Sequence, residues 1–439
     1  MRYHHGKREY TLTDGRSEYT FYTADSIEQG ACVSLQGEMG VGSIAASKVI
    51  ALTGDDEKEA RDRVIMNIKT AATLPEGPGL LDDDVMRTLW PKLREAALEI
   101  ICAKKLGRSV LLRFHGDADG IAGAFALTAI IGCKAFQHNS AMYGARDALR
   151  DMAMVGQESR PLVILLDFGS ADGCREGLDL LSAAGIDHMV IDHHPYAVRD
   201  DVWITNPFSV AGGASKYTAG YLACEVAMAC GMERGKALEL ARIACSGDKS
   251  DILASDESDA KKAMVLDFLA SHVSFGNNLD FYRKVMDKQE LFDSIARQAD
   301  ESIEEAAQKA IAKTKRMKEG PLDICVFPLE GIYRKGEWPP SSKITTRVFD
   351  KLKVGTPDTP LLCIGQTDRS LIMRLNDEAV TLGLSANSLA EAIKKSMADF
   401  VQGGGGHVKA GAIRVREGFA KEVLGELLRE AGRIARKDY

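Results

Sequence analysis

Four separate segments of the chain carry acidic or histidine side chains that could bind metal. They are His115, Asp117 and Asp119 in the first, Asp167 in the second, Asp192, His193 and His194 in the third, and Asp248 in the fourth. Several carboxylates brought close together repel one another strongly without a cation, so the set as a whole indicates bound metal. Mixed carboxylate and imidazole ligands suit Mn²⁺ best, with Mg²⁺, Co²⁺ and Zn²⁺ as alternatives.

Two such ions, about 3.5–4 Å apart, could activate a water molecule and stabilise in-line displacement at phosphorus. The simpler alternative applies to each residue alone, because a single Asp at a strand end is commonly a helix N-cap and a single His is commonly structural. All four segments together favour the metal site. Asp251 lies three residues after Asp248 and competes for the position in the last segment.

Short apolar strands alternate with helices from residue 109 onward, and this alternation predicts a parallel sheet covered by helices on both faces. The predicted strands are 110–114, 161–166 and 188–191, and the predicted helices are 121–131, 173–184, 219–231 and 236–245. Most of the candidate ligands follow the carboxyl end of a strand, which is where open α/β sheets place their ligands. We therefore expect them at one sheet edge.

The rest of the chain divides around this sheet. For residues 1–75 the sequence predicts a β-rich unit and a linker. The β-rich unit is either an OB-like barrel that touches nucleic acid or an appendage that only packs on the neighbouring domain. Residues 84–106 predict a helix that Pro91 kinks or breaks in two. A long charged helix is expected over 280–320, between a catalytic domain at 80–279 and a smaller α/β domain at 321–439.

Composition limits the class of protein. The chain has 439 residues, 45% of them hydrophobic and 27% charged, with a net charge of −7, which is typical of a globular protein and not of a general polyanion binder. No apolar stretch is long enough for a membrane span, and the polar N-terminus lacks a secretory signal. Nine cysteines without a C-x-x-C pair argue against a disulfide framework or a cysteine zinc site. We expect a cytoplasmic protein.

The order of these motifs resembles the DHH phosphoesterases, a family named for the triplet found here at 192–194. The segments 115–120, 167–170 and 246–248 resemble its first, second and fourth motifs, and the glycine run ending at His407 resembles the signature of its associated C-terminal domain. The similarity covers roughly residues 105–415 and is greatest to the RecJ-like nucleases, in the form found in archaea. It implies the predicted fold, a parallel-sheet DHH domain followed by a smaller α/β domain.

The resemblance also implies roles for residues. Asp117, Asp119, Asp167, His193 and Asp248 would bind the two metal ions with Asp167 between them, and His115 would bind metal or support a ligand. Asp192 would orient the neighbouring imidazole, and His194 would donate a proton or hydrogen bond to the substrate. The substrate-binding residues of the second domain would be Arg374, together with Gly403, Gly404, Gly405, Gly406 and His407 in a phosphate-binding glycine loop. For Arg374 the alternative is an ordinary surface arginine on an edge strand.

Three functions are compatible with this pattern. The first is an exonuclease that hydrolyses single-stranded DNA or RNA in a cleft between the two domains. The second is an enzyme for small substrates: an oligoribonuclease, a cyclic dinucleotide phosphodiesterase or a nucleotide phosphatase. The third is a non-catalytic scaffold for replication or repair proteins, which the retained metal positions disfavour as the sole role.

Overall fold

The computed structural model describes residues 3–4, 7–155, 160–195, 203–272, 279–332, 334, 336–355, 358–406 and 408–436. The chain folds as two compact units, Met1–Asp287 and Lys288–Tyr439. Among the described residues, no helix combines the length and apolar character needed to cross a bilayer.

The first unit begins with a five-stranded sheet. Its strands are β1 (Tyr3–His4), β2 (Lys7–Thr13), β3 (Glu18–Thr23), β4 (Val33–Met39) and β5 (Ser43–Ala51), in the order β1-β2-β3-β5-β4. Most of its described side chains are at least partly exposed, but Phe21 is buried and stacks on Tyr10 with ring centroids 5.6 Å apart. A β-rich unit is thus confirmed. Within the described part of the chain, β1 and β4 do not pair to close the sheet into a barrel.

Two helices, α1 (Gly54–Ala71) and α2 (Asp84–Lys105), lead to the central sheet. Of the two outcomes predicted at Pro91, a kink or a break into two helices, the break is wrong, because α2 is continuous through this residue. Proline inside a helix removes one backbone hydrogen bond. The apolar stripe of α2 is fully buried at Leu89, Leu93 and Ala96, and this packing outweighs the lost bond.

The central sheet is parallel, as predicted. Its strands are β6 (Val110–His115), β7 (Lys134–His138), β8 (Leu162–Leu166), β9 (Asp187–Ile191) and β10 (Ile204–Thr205), in the order β10-β9-β8-β6-β7. Phe114 lies opposite Leu166, and Leu166 lies opposite Ile191. Strands β6, β8 and β9 therefore end at one level, which brings the residues that follow them together.

In the described chain, seven helices accompany this sheet: α3 (Ala118–Ile130), α4 (Ala145–Val155), α5 (Arg175–Ala183), α6 (Ala219–Ala229), α7 (Arg234–Gly247), α8 (Glu257–His272) and α9 (Leu279–Asp287). Helices α3 and α6 are buried almost all round and cross at two glycines. A Cβ on Gly123 would lie 2.9 Å from the Cα of Gly220. This close approach holds the first turns of both helices beside the sheet edge.

The second unit contains α10 (Gln289–Ile311), β11 (Lys315–Glu319), β12 (Leu322–Pro328), α11 (Ser341–Val354), β13 (Leu361–Gln366), β14 (Ser370–Leu375), α12 (Asp377–Thr381), α13 (Ala386–Ser396), β15 (Val401–Gly406), β16 (Ala410–Val415) and α14 (Ala420–Ala435). These strands form a mixed sheet in the order β11-β12-β13-β14-β16-β15. One apolar layer lies between this sheet and α13 and α14, and another lies between it and α10 and α11.

Two predictions for this part of the chain are wrong. The single helix expected over 280–320 is two helices that separate at Lys288, followed by the edge strand β11. Charge and composition favoured a helix, but β11 pairs along its whole length with the apolar strand β12. The glycine run expected as a loop is the edge strand β15, because it pairs with β16 from Gly403 to Gly406.

A buried ion pair joins β6 to α4 in the first unit. The guanidinium of Arg113 donates to the carboxylate of Asp151, which also accepts a 2.9 Å hydrogen bond from the Tyr143 hydroxyl. Asp151 is fully buried and Arg113 is 5% exposed. Removal of one partner would leave the other as an uncompensated buried charge.

We therefore expect Asp151→Asn to lower the free energy of unfolding by ~3 kcal/mol, measured by urea denaturation. The matched control is Glu59→Gln, which breaks the exposed pair with Arg63 and should change stability by less than ~0.5 kcal/mol. Equal changes in the free energy of unfolding of the two variants would show that the buried pair contributes no more to stability than the exposed pair.

Candidate metal centre

The carboxylate of Asp167 is buried directly after strand β8. Its backbone φ is +66°, in the left-handed region that Asp tolerates better than most residues, and Gly169 at φ +110° continues the turn. Neither carboxylate oxygen accepts a hydrogen bond within the described structure. Oδ1 lies 3.3 Å from His193 Nε2, and Oδ2 lies 3.4 Å from His115 Nδ1. The two oxygens thus face two different imidazoles.

His115 and Asp117 lie on one side of Asp167. His115 ends β6, and its Nδ1 is 2.6 Å from Asp117 Oδ2. The other carboxylate oxygen of Asp117 accepts from the Gly120 N–H at 3.0 Å, so Asp117 caps α3 while its second oxygen faces the centre. Gly120 is required here because a Cβ at this position would lie 2.4 Å from the His115 carbonyl oxygen.

Asp119 lies on the other side and is held by helix α6. Its two oxygens accept from the backbone N–H groups of Ala219 and Gly220, each at 2.9 Å. Asp119 Oδ2 is 3.8 Å from His193 Nε2. An aspartate at this sheet edge can therefore hold the start of a helix and also be available to a metal ion. A capping role does not exclude metal binding.

His193 is oriented by a backbone carbonyl. Its Nδ1 lies 2.6 Å from the carbonyl oxygen of Ser215, and this contact assigns the proton to Nδ1. Nε2 is then the unprotonated nitrogen of the neutral ring and faces Asp119, Asp167 and Asp248, with Asp248 Oδ2 at 3.2 Å. This is the arrangement of a histidine ligand whose second nitrogen is fixed by a neighbour.

Asp192 orients His194 and not His193. Its Oδ1 is 2.8 Å from His194 Nδ1 and also accepts from the His193 and His194 backbone N–H groups. Its Oδ2 accepts from the hydroxyl and backbone N–H of Ser170. The His194 side chain is 49% exposed, so its Nε2 is left available to a substrate.

Of the two candidates for the fourth segment, the structure places Asp248, at the end of α7, close to His193. Asp119, His193 and Asp248 form one group of potential ligands, whereas Asp251 belongs to no such group among the described residues. The preference for Asp248 over Asp251 is consistent with this placement. The ligand role itself stays a prediction.

The electrostatics of the centre favour a bound cation. Burial, together with the charges of Asp167 and Asp248, raises the pKa of Asp119 well above its usual range. Burial likewise raises the pKa of Asp248 to about 7. The charge of Asp117 raises the pKa of His115, and, although burial opposes it, the surrounding carboxylates raise the pKa of His193. Protons are thus held where a cation would otherwise compensate the carboxylates.

Three groups of potential ligand atoms overlap at this edge: Asp167 with His193 and His194, Asp167 with His115 and Asp117, and His193 with Asp119 and Asp248. Within each group all ligand atoms lie within 4.8 Å of one another. Asp167 is shared between the first two groups. The donor set of oxygens and imidazole nitrogens suits Mn²⁺, and the two orphaned oxygens of Asp167 fit a metal pair.

Several residues that position this centre have no sequence signal for the role. Ser215 acts through its backbone carbonyl, and Asp267 on α8 accepts from the Ala118 N–H at 2.8 Å. Asn206 donates to the carbonyl oxygen of His194 at 2.9 Å and to the hydroxyl of Ser170 at 3.2 Å. The pair Asn206-Pro207 is typical of a turn, but the contact of Asn206 with His194 depends on the tertiary fold.

In the second unit, the alternative for Arg374 is wrong. Arg374 is 9% exposed and lies on β14, which is an interior strand between β13 and β16. Its guanidinium donates to the Thr346 hydroxyl at 3.1 Å and the Met373 carbonyl at 2.8 Å, and burial lowers its pKa. Gly403, Gly404, Gly405 and Gly406 lie on the edge strand β15. His407 lies outside the described residues.

Comparison with known proteins bears on the family. Residues 109–247 match the model of the DHH family, N-terminal domain. The chain contains a DHH domain. It carries the parallel sheet, His115, Asp117, Asp119, Asp167 and the triplet at 192–194, and Asp248 follows its last matched residue. The relationship to DHH phosphoesterases that the motif order indicated is confirmed.

An uncharacterized protein of Methanocaldococcus jannaschii is 25% identical over 514 aligned positions, which cover 96% of this chain and 66% of that protein. The chain thus spans about two thirds of that relative. Among solved structures, the DHH domain of a member of a ribosomal protein family is similar with a TM-score of 0.69 and 24% identity, covering 86% of this chain and 98% of the other. RecJ from Thermus thermophilus in complex with Mn²⁺ is similar with a TM-score of 0.52 and 15% identity, covering 85% and 59%. These likenesses establish the fold.

Metal binding should stabilise the chain through these ligands. At 100 times the dissociation constant, Mn²⁺ should raise the free energy of unfolding by about 2.7 kcal/mol, and Asp167→Asn should remove most of this gain because it removes the shared carboxylate. Urea unfolding with and without Mn²⁺ measures both. The matched control is Asp251→Asn, which should retain the gain. Loss of the gain in Asp251→Asn but not in Asp248→Asn would transfer the ligand role to Asp251.

Metal affinity should also depend on pH. Because the pKa values of His115 and His193 are raised in the metal-free protein, protons compete with the metal for both imidazoles. We expect Mn²⁺ affinity to rise from pH 6 to pH 8, by roughly tenfold per pH unit for each proton displaced. Calorimetric titration in buffers of different ionisation enthalpy counts the released protons. Affinity that is independent of pH would place the metal elsewhere.

Proposed function

We propose that the chain is a metal-dependent phosphodiesterase, a RecJ-like exonuclease that hydrolyses single-stranded DNA or RNA with two divalent ions, of which Mn²⁺ is favoured. The observation that carries the proposal is the carboxylate of Asp167, which is buried, accepts no hydrogen bond within the described structure and presents its oxygens to two imidazoles. An unpaired buried carboxylate is costly unless a cation compensates it.

We assign two ligand sets that share Asp167. His115 and Asp117 would hold one ion together with Asp167 Oδ2, and Asp119, His193 and Asp248 would hold the other together with Asp167 Oδ1. Bound in this way, two divalent ions supply an activated water molecule and stabilise the charge that develops on the phosphate. The hydrogen bonds from Gly120, Ala219, Gly220 and Ser215 fix the ligands in advance.

His194 would act on the leaving group. Its hydrogen bond with Asp192 raises the pKa of His194, so that the imidazolium persists nearer to neutral pH. Although burial opposes it, hydrogen bonds from His194 and Ser170 lower the pKa of Asp192 to about 2, which keeps this carboxylate ionised. With Nδ1 held by Asp192, Nε2 is the nitrogen that can donate a proton to the departing oxygen.

The second unit would supply substrate contacts. Strand β15 is a sheet edge made of glycines, so its backbone N–H groups can approach a phosphate without interference from side chains. Within the described residues, Arg374 forms no ion pair and its guanidinium donates only to neutral oxygens, with the charge of Asp350 acting from a longer distance. A phosphate would compensate that charge. His407 would complete the set beside the glycines.

The open β-sheet at the N-terminus would extend the track of a single strand. Its strands leave most of their described side chains at least partly exposed, and small β units often bind single strands through charged and aromatic residues. Replication or repair proteins are the partners that we propose for such an enzyme.

A substrate series tests the activity. With Mn²⁺ and labelled single strands of DNA and RNA, we expect progressive shortening of a long strand, and we expect Asp167→Ala to lower the rate at least ~1,000-fold because both ligand sets lose a member. Asp251→Ala serves as the matched control and should retain activity. Circular dichroism shows whether each variant is folded.

The outcomes separate the alternative functions. Hydrolysis of a dinucleotide alone would replace the exonuclease with an enzyme for small substrates. Failure to hydrolyse any of the strands, together with binding to a replication protein, would favour the non-catalytic scaffold. Metal-dependent hydrolysis that survives Asp167→Ala would remove Asp167 from its shared position.

A further inference from the structure

One segment of the first unit, residues 204–220, contacts the candidate metal centre at successive points. The backbone N–H of Asp192 donates to the carbonyl oxygen of Thr205 at 3.0 Å, and Asn206 donates to the carbonyl oxygen of His194. Further along, the Ser215 carbonyl oxygen holds His193 and the start of α6 holds Asp119. The segment therefore follows the rim of the centre.

Phe208 is an exposed aromatic residue on this rim. It is 36% exposed and, within the described residues, contacts no other aromatic ring. Its backbone is fixed, because its N–H donates to Asn206 Oδ1 at 3.0 Å and Asn206 in turn holds His194. The turn that follows is tightly packed, since a Cβ on Gly213 would lie 1.7 Å from the Pro207 carbonyl oxygen. A single exposed Phe is common on protein surfaces, but this one is coupled to the triplet through two hydrogen bonds.

Lys216 is an exposed cation on the same rim. The carbonyl oxygen of Lys216 accepts from the Ser250 hydroxyl, and the preceding carbonyl accepts from His193. Its Nζ lies 5.4 Å from the centroid of the Tyr217 ring, and no carboxylate pairs with it in the part of the chain that the structure describes. The backbone of Lys216 is thus held in place, and within the described residues no carboxylate competes with an anion for its ammonium group.

We propose that residues 204–217 recognise a nucleotide adjoining the scissile phosphate, with Phe208 stacking on its base and Lys216 pairing with a phosphate. The proposal rests on the phosphodiesterase function given above and narrows its substrate to a base-bearing strand. Every base has a face that an aromatic ring can stack on, so the contact is tolerant of sequence. A polyphosphate without bases could pair with Lys216 but would offer no base for Phe208 to stack on.

Two strands distinguish the base from the backbone. One is an ordinary labelled 12-mer, and the other is the same 12-mer with abasic residues at the last two positions of each end. The wild type should hydrolyse the ordinary strand about tenfold faster. Phe208→Ala should slow the ordinary strand about tenfold and leave the abasic strand unchanged, and Phe208→Trp should restore the preference. The matched control is Phe419→Ala, since Phe419 is 38% exposed and lies in the second unit.

Substitution of Lys216 should affect both strands alike, unlike substitution of Phe208. Lys216→Ala should raise KM for both strands about tenfold and reduce the salt dependence of KM by about one phosphate contact, whereas Lys216→Arg should retain most of the affinity. The exposed Lys236 on α7 provides the control Lys236→Ala, which should behave as the wild type.

The results separate this inference from the proposed function. A wild type that hydrolyses neither strand overturns both. An active wild type whose preference for the ordinary strand is unchanged in Phe208→Ala overturns the stacking role alone. Wild-type KM and salt dependence in Lys216→Ala overturn the phosphate contact.

Discussion

The buried carboxylate of Asp167 is the point around which the DHH domain of this chain is organised. Parallel strands that end at one level bring His115, Asp167 and the triplet at 192–194 to one edge, where negative charges accumulate with little water to screen them. Asp167 adds a left-handed backbone conformation and two oxygens without hydrogen bonds in the described structure. Such a residue costs free energy in the metal-free chain, and conformations of this kind cluster at functional sites.

The two adjacent histidines have different hydrogen-bond partners. His193 is held at Nδ1 by a backbone carbonyl, a neutral acceptor, and presents Nε2 to three carboxylates. His194 is held at Nδ1 by the ionised Asp192 and remains half exposed. In the proposed function, the neutral acceptor would suit His193 as a metal ligand, and the carboxylate would suit His194 as a proton donor. Neighbouring residues of one type thus acquire different chemistry from their partners.

The sequence predicted the parallel sheet and the clustering of the acidic segments because both follow from local patterns. Short apolar strands and the strand-end position of Asp167 are visible without tertiary contacts. The partners of the histidines were not predictable, since the carbonyl of Ser215 has no side-chain signature and Asp267 reaches Ala118 from a distant helix. The end of the helix expected over 280–320 is instead the strand β11, because pairing with β12 overrode the helical preference of the charged residues.

We propose that two ions share Asp167, and electron paramagnetic resonance of the Mn²⁺-loaded protein would detect such a pair. Two Mn²⁺ ions bridged by one carboxylate are spin-coupled, so we expect two ions per chain and the spectrum of a coupled pair, which Asp167→Asn converts to that of isolated Mn²⁺ or abolishes. A wild-type chain that binds a single ion, or two ions with no coupling, would show that Asp167 is not shared.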